Sequence, residues 1–242
     1  MSERSLGFFL TVALAGIVAQ FVDGALGMGY GVFSSTLLVA AGFMPAVASA
    51  SVHTAEIFTT LLSGISHHTL GNVDRRLVIP LTLSGVVGAV AGALFLSNLP
   101  GDVIKPWVAG ILLLMGVVVI WRFVVKNGIE KKGAPPKGSA ASAGIVADAA
   151  ALNQPLDPEA DLAGEGLATW KLVGIGFIAA ALDAFGGGGW GPVTTPTLIL
   201  GHNVQPHRVV GSVNVAEFFV TLAISVTFFI ALGTETFDWR IV

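Results

Sequence analysis

Asp23-Gly24-Ala25-Leu26-Gly27-Met28-Gly29-Tyr30-Gly31 lies between long apolar stretches, and a close variant returns as Asp183-Ala184-Phe185-Gly186-Gly187-Gly188-Gly189-Trp190-Gly191. Each copy is followed by a polar quartet, His53-Thr54-Ala55-Glu56 and then Asn214-Val215-Ala216-Glu217. Inside lipid every backbone N–H and C=O must be paired, so non-helical backbone survives only where protein buries it or it lines a cavity. A glycine-rich interruption with a carboxylate, present twice, is how many transporters build a site from two broken helices. The fold expected is all-α: a polytopic transmembrane protein of two pseudo-symmetric repeats with broken or re-entrant helices.

Composition leads to the same class. Hydrophobic residues make up 54% and charged residues 11%, with a mean hydropathy of +0.82; soluble domains carry about 25% charge. The 31 glycines suit close packing of membrane helices. A net charge of −3 gives no reason to expect nucleic acid as a partner. There is no cysteine, which removes disulfides, thiolate metal sites and thiol electron transfer together.

Five apolar blocks occupy the first half. Residues 6–22 lead into Asp23, and the run is long enough to read as an uncleaved first helix rather than a signal peptide. Residues 32–43 are too few to cross a hydrocarbon core, which needs about 20. Residues 46–70 carry His53 and Glu56, and 77–96 and 103–125 are conventional spans. The domains expected are a first transmembrane repeat (1–125), a polar cytoplasmic linker (126–168) and a second repeat (169–242). Pro206 answers Pro45 and Glu217 answers Glu56, but counterparts of the spans at 77–96 and 103–125 are missing. The chain is therefore expected to be a fragment with an incomplete second repeat. Basic residues at Arg75, Arg76 and from Arg122 to Lys137 place those segments in the cytoplasm.

The glycines permit unusual dihedrals and let a ligand approach the main chain. Pro192, directly after the second break, suits the first turn of a new helix. A helix starting there aims free N–H groups and partial positive charge at the break, which favours an anion. Gly27, Gly29, Gly31, Gly187, Gly188, Gly189 and Gly191 are thus candidate binding positions. Ser34, Ser35, Thr194 and Thr195 add hydroxyls one turn on, and Arg208 adds a fixed charge or is an ordinary interfacial arginine. Asp23 and Asp183 stand at membrane depth, where a charge costs about 2.5–3.5 kcal/mol on insertion scales. They read as proton-exchanging groups or as plain caps. Glu56 and Glu217, with His53 and Asn214 three residues earlier on the same helix face, read as proton-handling or gating groups. The bland reading is a structural hydrogen bond. One His and one Glu per half, with Asn replacing His in the second, is too poor a set for a metal, and no cofactor is called for.

These residues resemble the sulfite exporter TauE/SafE family of membrane permeases. The likeness rests on the Asp-Gly-x-x-Gly-x-Gly-x-Gly break, Pro45, Ser51-Val52-His53-Thr54-Ala55-Glu56, the Gly71-Asn72-Val73-Asp74-Arg75-Arg76-Leu77 turn and Asn214-Val215-Ala216-Glu217. It covers nearly all of the chain outside the linker. The resemblance implies about eight helices, a cell (inner or plasma) membrane location and a small sulfur-containing anion such as sulfite, sulfoacetate or thiosulfate as substrate. The long linker and the missing end of the second repeat depart from that pattern.

The function expected is a secondary transporter working by alternating access, proton- or gradient-linked, with a small anion and the lipid bilayer as its partners and a homo-oligomer left open. It is not expected to be an enzyme. No phosphate-binding P-loop supports ATP-driven transport, and no nucleophile elbow or zinc-protease pair supports hydrolysis. A non-transporting subunit needing a partner chain, or a permease for another small anion or organic acid, is the alternative.

Overall fold

Glycine, proline and one aspartate decide where the helices stop. Among the residues that the computed structural model describes (6–26, 29–133, 168–201 and 206–233), there are helices and no strands. They are α1 (Leu6–Leu26), α2 (Tyr30–Ala40), α3 (Pro45–Thr69), α4 (Arg75–Ser97), α5 (Gly101–Gly133), α6 (Thr169–Gly186), α7 (Trp190–Gly201) and α8 (Pro206–Leu232). Side chains of residues 6, 8, 9, 21–26, 122–133, 200 and 201 lie outside this description.

Pro45 opens α3 after an extended Met44, where its missing N–H leaves no helical bond unmade. The Asp74 carboxylate accepts from the Arg76 N–H at 2.8 Å and caps α4. At the end of α6, Gly187 turns left-handed at φ 64°, and its N–H returns to the Asp183 carbonyl at 2.5 Å.

Four helical stretches are long and apolar enough to cross a bilayer: Arg75–Ser97, Gly101–Trp121, Thr169–Gly186 and Pro206–Leu232. With 11 residues, α2 is too short to do so. The 25-residue α3 has the length, but polar residues interrupt its apolar sequence. Those polar residues face inward. Ser49, Ser51, His53, Thr54, Glu56 and Thr60 are all buried, while Phe58 and Leu62 on the same helix are exposed. Trp107, Leu113 and Ile230 are likewise more than two-thirds exposed. An interior more polar than the surface is the arrangement lipid demands.

Backbone contact holds the centre together. A Cβ on Gly88 of α4 would overlap the Phe177 carbonyl of α6, and one on Gly92 would lie 2.8 Å from the Ala181 oxygen. From the other side, a Cβ on Gly176 would come within 2.9 Å of the Leu81 oxygen. Small residues at these positions let two membrane helices touch main chain to main chain. Helix α8 packs on α4 and α3, with Gly211 seated against the Asn72 carbonyl.

Three boundaries differ from the sequence reading. Helix α1 extends to Leu26 and α6 to Gly186, so Asp23 and Asp183 lie inside their helices rather than at the ends. The physical reason at Asp183 is that its carboxylate reaches forward over the break, while the left-handed Gly187 ends the helix four residues later. Helix α5 continues to Gly133, eight residues into the stretch expected to be linker. The rest of that stretch, from 134 to 167, is outside the described residues.

Candidate functional site

The two breaks touch. Gly31, in the first turn of α2, sits so close to the second break that a Cβ on it would overlap the Gly187 carbonyl. A Cβ on Gly188 would overlap Val32, and one on Gly187 would overlap the Ser35 hydroxyl. Glycine is required here because main chain meets main chain. The contact draws α2, α3 and α6 to one point, since Val52 of α3 also lies against Gly187.

Asp183 organises that point. It is 3% exposed, and its Oδ1 accepts from the N–H groups of Gly189 at 2.8 Å and Trp190 at 3.2 Å. The carboxylate therefore occupies the positive end of α7, as a capping side chain does. Its Oδ2 lies 3.1 Å from Nε2 of the fully buried His53. On the far side of the ring, the Ser49 carbonyl is 2.8 Å from Nδ1. A carbonyl cannot donate, so Nδ1 carries a proton. The Ser49 hydroxyl, 3.3 Å from Nδ1, donates its hydrogen to the Ala184 carbonyl at 2.7 Å and can only accept from the ring. Trp190, fully buried, donates from Nε1 to the Val213 carbonyl at 3.2 Å and ties α7 to α8.

A cavity with about 30 Å³ of free volume opens beside this cluster. That is room for about two water molecules. Gly29, Gly31, Gly187, Gly188 and Gly191 supply its main-chain wall. Glu56, Asp183 and Glu217 bring three carboxyl groups to it, and Asn214, Thr59, Thr60, Tyr30 and Gln20 complete the polar lining, with Pro192. The Asn214 amide donates to the Ser63 hydroxyl at 2.9 Å, joining α8 to α3 at the cavity's edge.

Nine of the residues singled out from sequence therefore line one cavity: Gly29, Gly31, Glu56, Asp183, Gly187, Gly188, Gly191, Asn214 and Glu217. Others do not. Gly189 is spent on the Asp183 cap. The Thr194 hydroxyl donates to the Trp190 carbonyl at 2.6 Å, the backbone bond a buried membrane threonine readily makes. Thr195 is buried away from the cavity, and Arg208 is half-buried in the first turn of α8, outside the lining. Ser35 lies against Gly187 at the break contact, and the hydroxyls of Ser34 and Ser35 have no hydrogen-bond partner. His53 pairs across to Asp183 instead of along its own helix to Glu56. Gly27 and the Asp23 side chain lie outside the described residues.

Sequence reasoning missed Ser49, Gln20, Tyr30, Thr59, Thr60 and Trp190. Thr60 carried a usable signal, being one helical turn beyond Glu56 on the same face. So did Tyr30, the chain's single tyrosine, set within the glycine run. Among the described residues no cluster of three metal-ligating side chains occurs.

The sequence model of one family, described as Sulfite exporter TauE/SafE, matches residues 12–242. A Bacillus subtilis protein named "Probable membrane transporter protein YtnM" is 42% identical over 232 residues, covering 95% of this chain and 67% of that protein. A second from the same organism, "Probable membrane transporter protein YdhB", is 30% identical over 119 residues, 49% of this chain and 47% of its own length. "Probable membrane transporter protein ORF9" of Sinorhizobium sp is 30% identical over 104 residues, 42% and 40% of the two chains. No solved structure matches.

Proposed function

The chain belongs to the sulfite exporter TauE/SafE family, and from that premise we propose a secondary transporter that carries a small sulfur-containing anion through the cavity where the breaks meet. It is a multi-pass membrane protein of a transporter family; the anion, alternating access and proton coupling are our reading. The observation that carries the reading is the cavity itself. Main-chain glycines and three carboxyl groups line it in a fold of largely apolar helices.

An anion and three ionised carboxylates cannot share a low-dielectric cavity, because like charges a few ångströms apart repel strongly there. The guest enters as one carboxyl group takes up a proton. We read the coupling as one proton per anion, taken up by one of Glu56, Asp183 and Glu217. Free volume for two waters is too small for a sulfur oxyanion, so the site opens to load. The backbone lock between α4 and α6 leaves little room for sliding. Access alternates through the breaks and the polar α3–α8 contact, while the α4–α6 seam stays shut.

The test is counterflow in proteoliposomes, with labelled sulfite, thiosulfate, sulfoacetate and sulfate compared in one preparation. At least one sulfur anion should exchange, faster with acid outside than at equal pH. Exchange of none of them would sink the transport reading; exchange indifferent to a pH gradient would remove the coupling.

A further inference from the structure

Asp183 fills the place where a bound anion would be expected. Its carboxylate accepts from the N–H groups of Gly189 and Trp190 at the start of α7. A second observation points to a ligand at the same break. Ser35 is 1% exposed, its hydroxyl has no partner, and it points at Gly187, the first residue of the break.

The proton in the contact with His53 can be counted. Nδ1 is protonated because it faces the Ser49 carbonyl. The Nε2 and Oδ2 atoms, 3.1 Å apart, would present two lone pairs to each other without one more proton. So the pair holds one proton between them and is neutral as a unit, an imidazolium beside a carboxylate or an imidazole beside an acid. Among the described residues, the other titratable groups lining the cavity beside it are Glu56 from α3, Glu217 from α8 and the phenol of Tyr30 from α2. Leu77–Ser97 of α4, Pro106–Trp121 of α5 and all of α7 contain no charged residue.

We propose that Asp183 is a tethered stand-in for the transported anion, displaced from the α7 N-terminus when substrate binds and protonated as it leaves. This rests on the transport reading above. The incoming oxyanion accepts from Gly189, Trp190 and the Ser35 hydroxyl. The carboxylate, released from those donors beside a negative guest, binds one proton from solution and stays neutral beside protonated His53. No bond to the substrate forms or breaks, and each anion enters with one proton. Burying a lone negative charge is the costly alternative.

The experiment is calorimetric titration of the purified full chain with thiosulfate, which carries no titratable proton near neutrality, in buffers of different ionisation enthalpy. Wild type should take up about one proton per thiosulfate bound, and its affinity should fall about tenfold per pH unit as pH rises. Asp183→Asn keeps an acceptor for Gly189 and a donor for Nε2 but cannot ionise. It should bind thiosulfate with no proton uptake and a flat pH dependence. Binding by wild type without proton uptake overturns the inference and the proton coupling while the transport reading stands, and an Asn variant that keeps the wild-type slope overturns the inference alone. Absence of thiosulfate binding in both proteins overturns this inference, and the transport reading falls with it only if none of the four anions exchanges in proteoliposomes.

Discussion

The two glycine breaks are near copies in sequence and differ in surroundings. At the second, Gly186 to Gly189 are all buried, a carboxylate from the preceding helix closes the start of α7, and Trp190 anchors the turn to α8. At the first, Gly29 is half-buried on the cavity rim, with φ at 131° and no atom within 4 Å of where a Cβ would stand. The same residue type thus answers two needs. In the second break glycine makes space for packing; at Gly29 it permits a dihedral that L-residues rarely adopt.

That contrast can be broken by substitution. Gly188→Val should have the largest effect, because the side chain would run into the Val32 backbone, and overpacking costs about 3 kcal/mol at its upper end. A fall in the calorimetric unfolding midpoint, with anion counterflow down more than about tenfold on the scale where 1.4 kcal/mol is a decade, is the expected pair of readings. Gly29→Ala has space but the wrong φ, so strain of about 1–2 kcal/mol should slow counterflow while helix content by circular dichroism is retained. If Gly29→Ala unfolds the protein as Gly188→Val does, the distinction between the breaks is wrong. The smallest effect belongs to Trp190→Phe, which removes the bond to the Val213 carbonyl and should lower stability by about 1 kcal/mol with the glycine contacts intact. A larger loss would show that Trp190, rather than Asp183, holds the second break.

Much of this was legible in the sequence. Contiguous glycines in apolar surroundings mark a helix interruption because no packing periodicity needs them, and Glu56 and Glu217 mark an interior because a charge inside an apolar helix has nowhere else to face. The His53–Asp183 contact was not legible. Nothing local ties residues so far apart, and the adjacent Glu56 looked the better partner on helical spacing. The helix ends were misplaced for a related reason. An aspartate shortly before a glycine run reads as a terminus, whereas Asp183 caps the next helix from within the previous one. Ser49 was invisible because its importance lies in its carbonyl, which every residue has.

The burial of Trp190 has a practical consequence. It is one of five tryptophans, and the other three described ones, Trp107, Trp121 and Trp170, are well exposed at the outer surface of the fold. Trp190 alone among these has its indole sealed in protein, with its main-chain nitrogen bonded to Asp183. A chain with Trp190 as its sole indole would emit from beside the cavity, and quenchers dissolved in the bilayer would leave that light untouched. The molecule thus carries its own optical gauge at the place where the two interrupted helices meet.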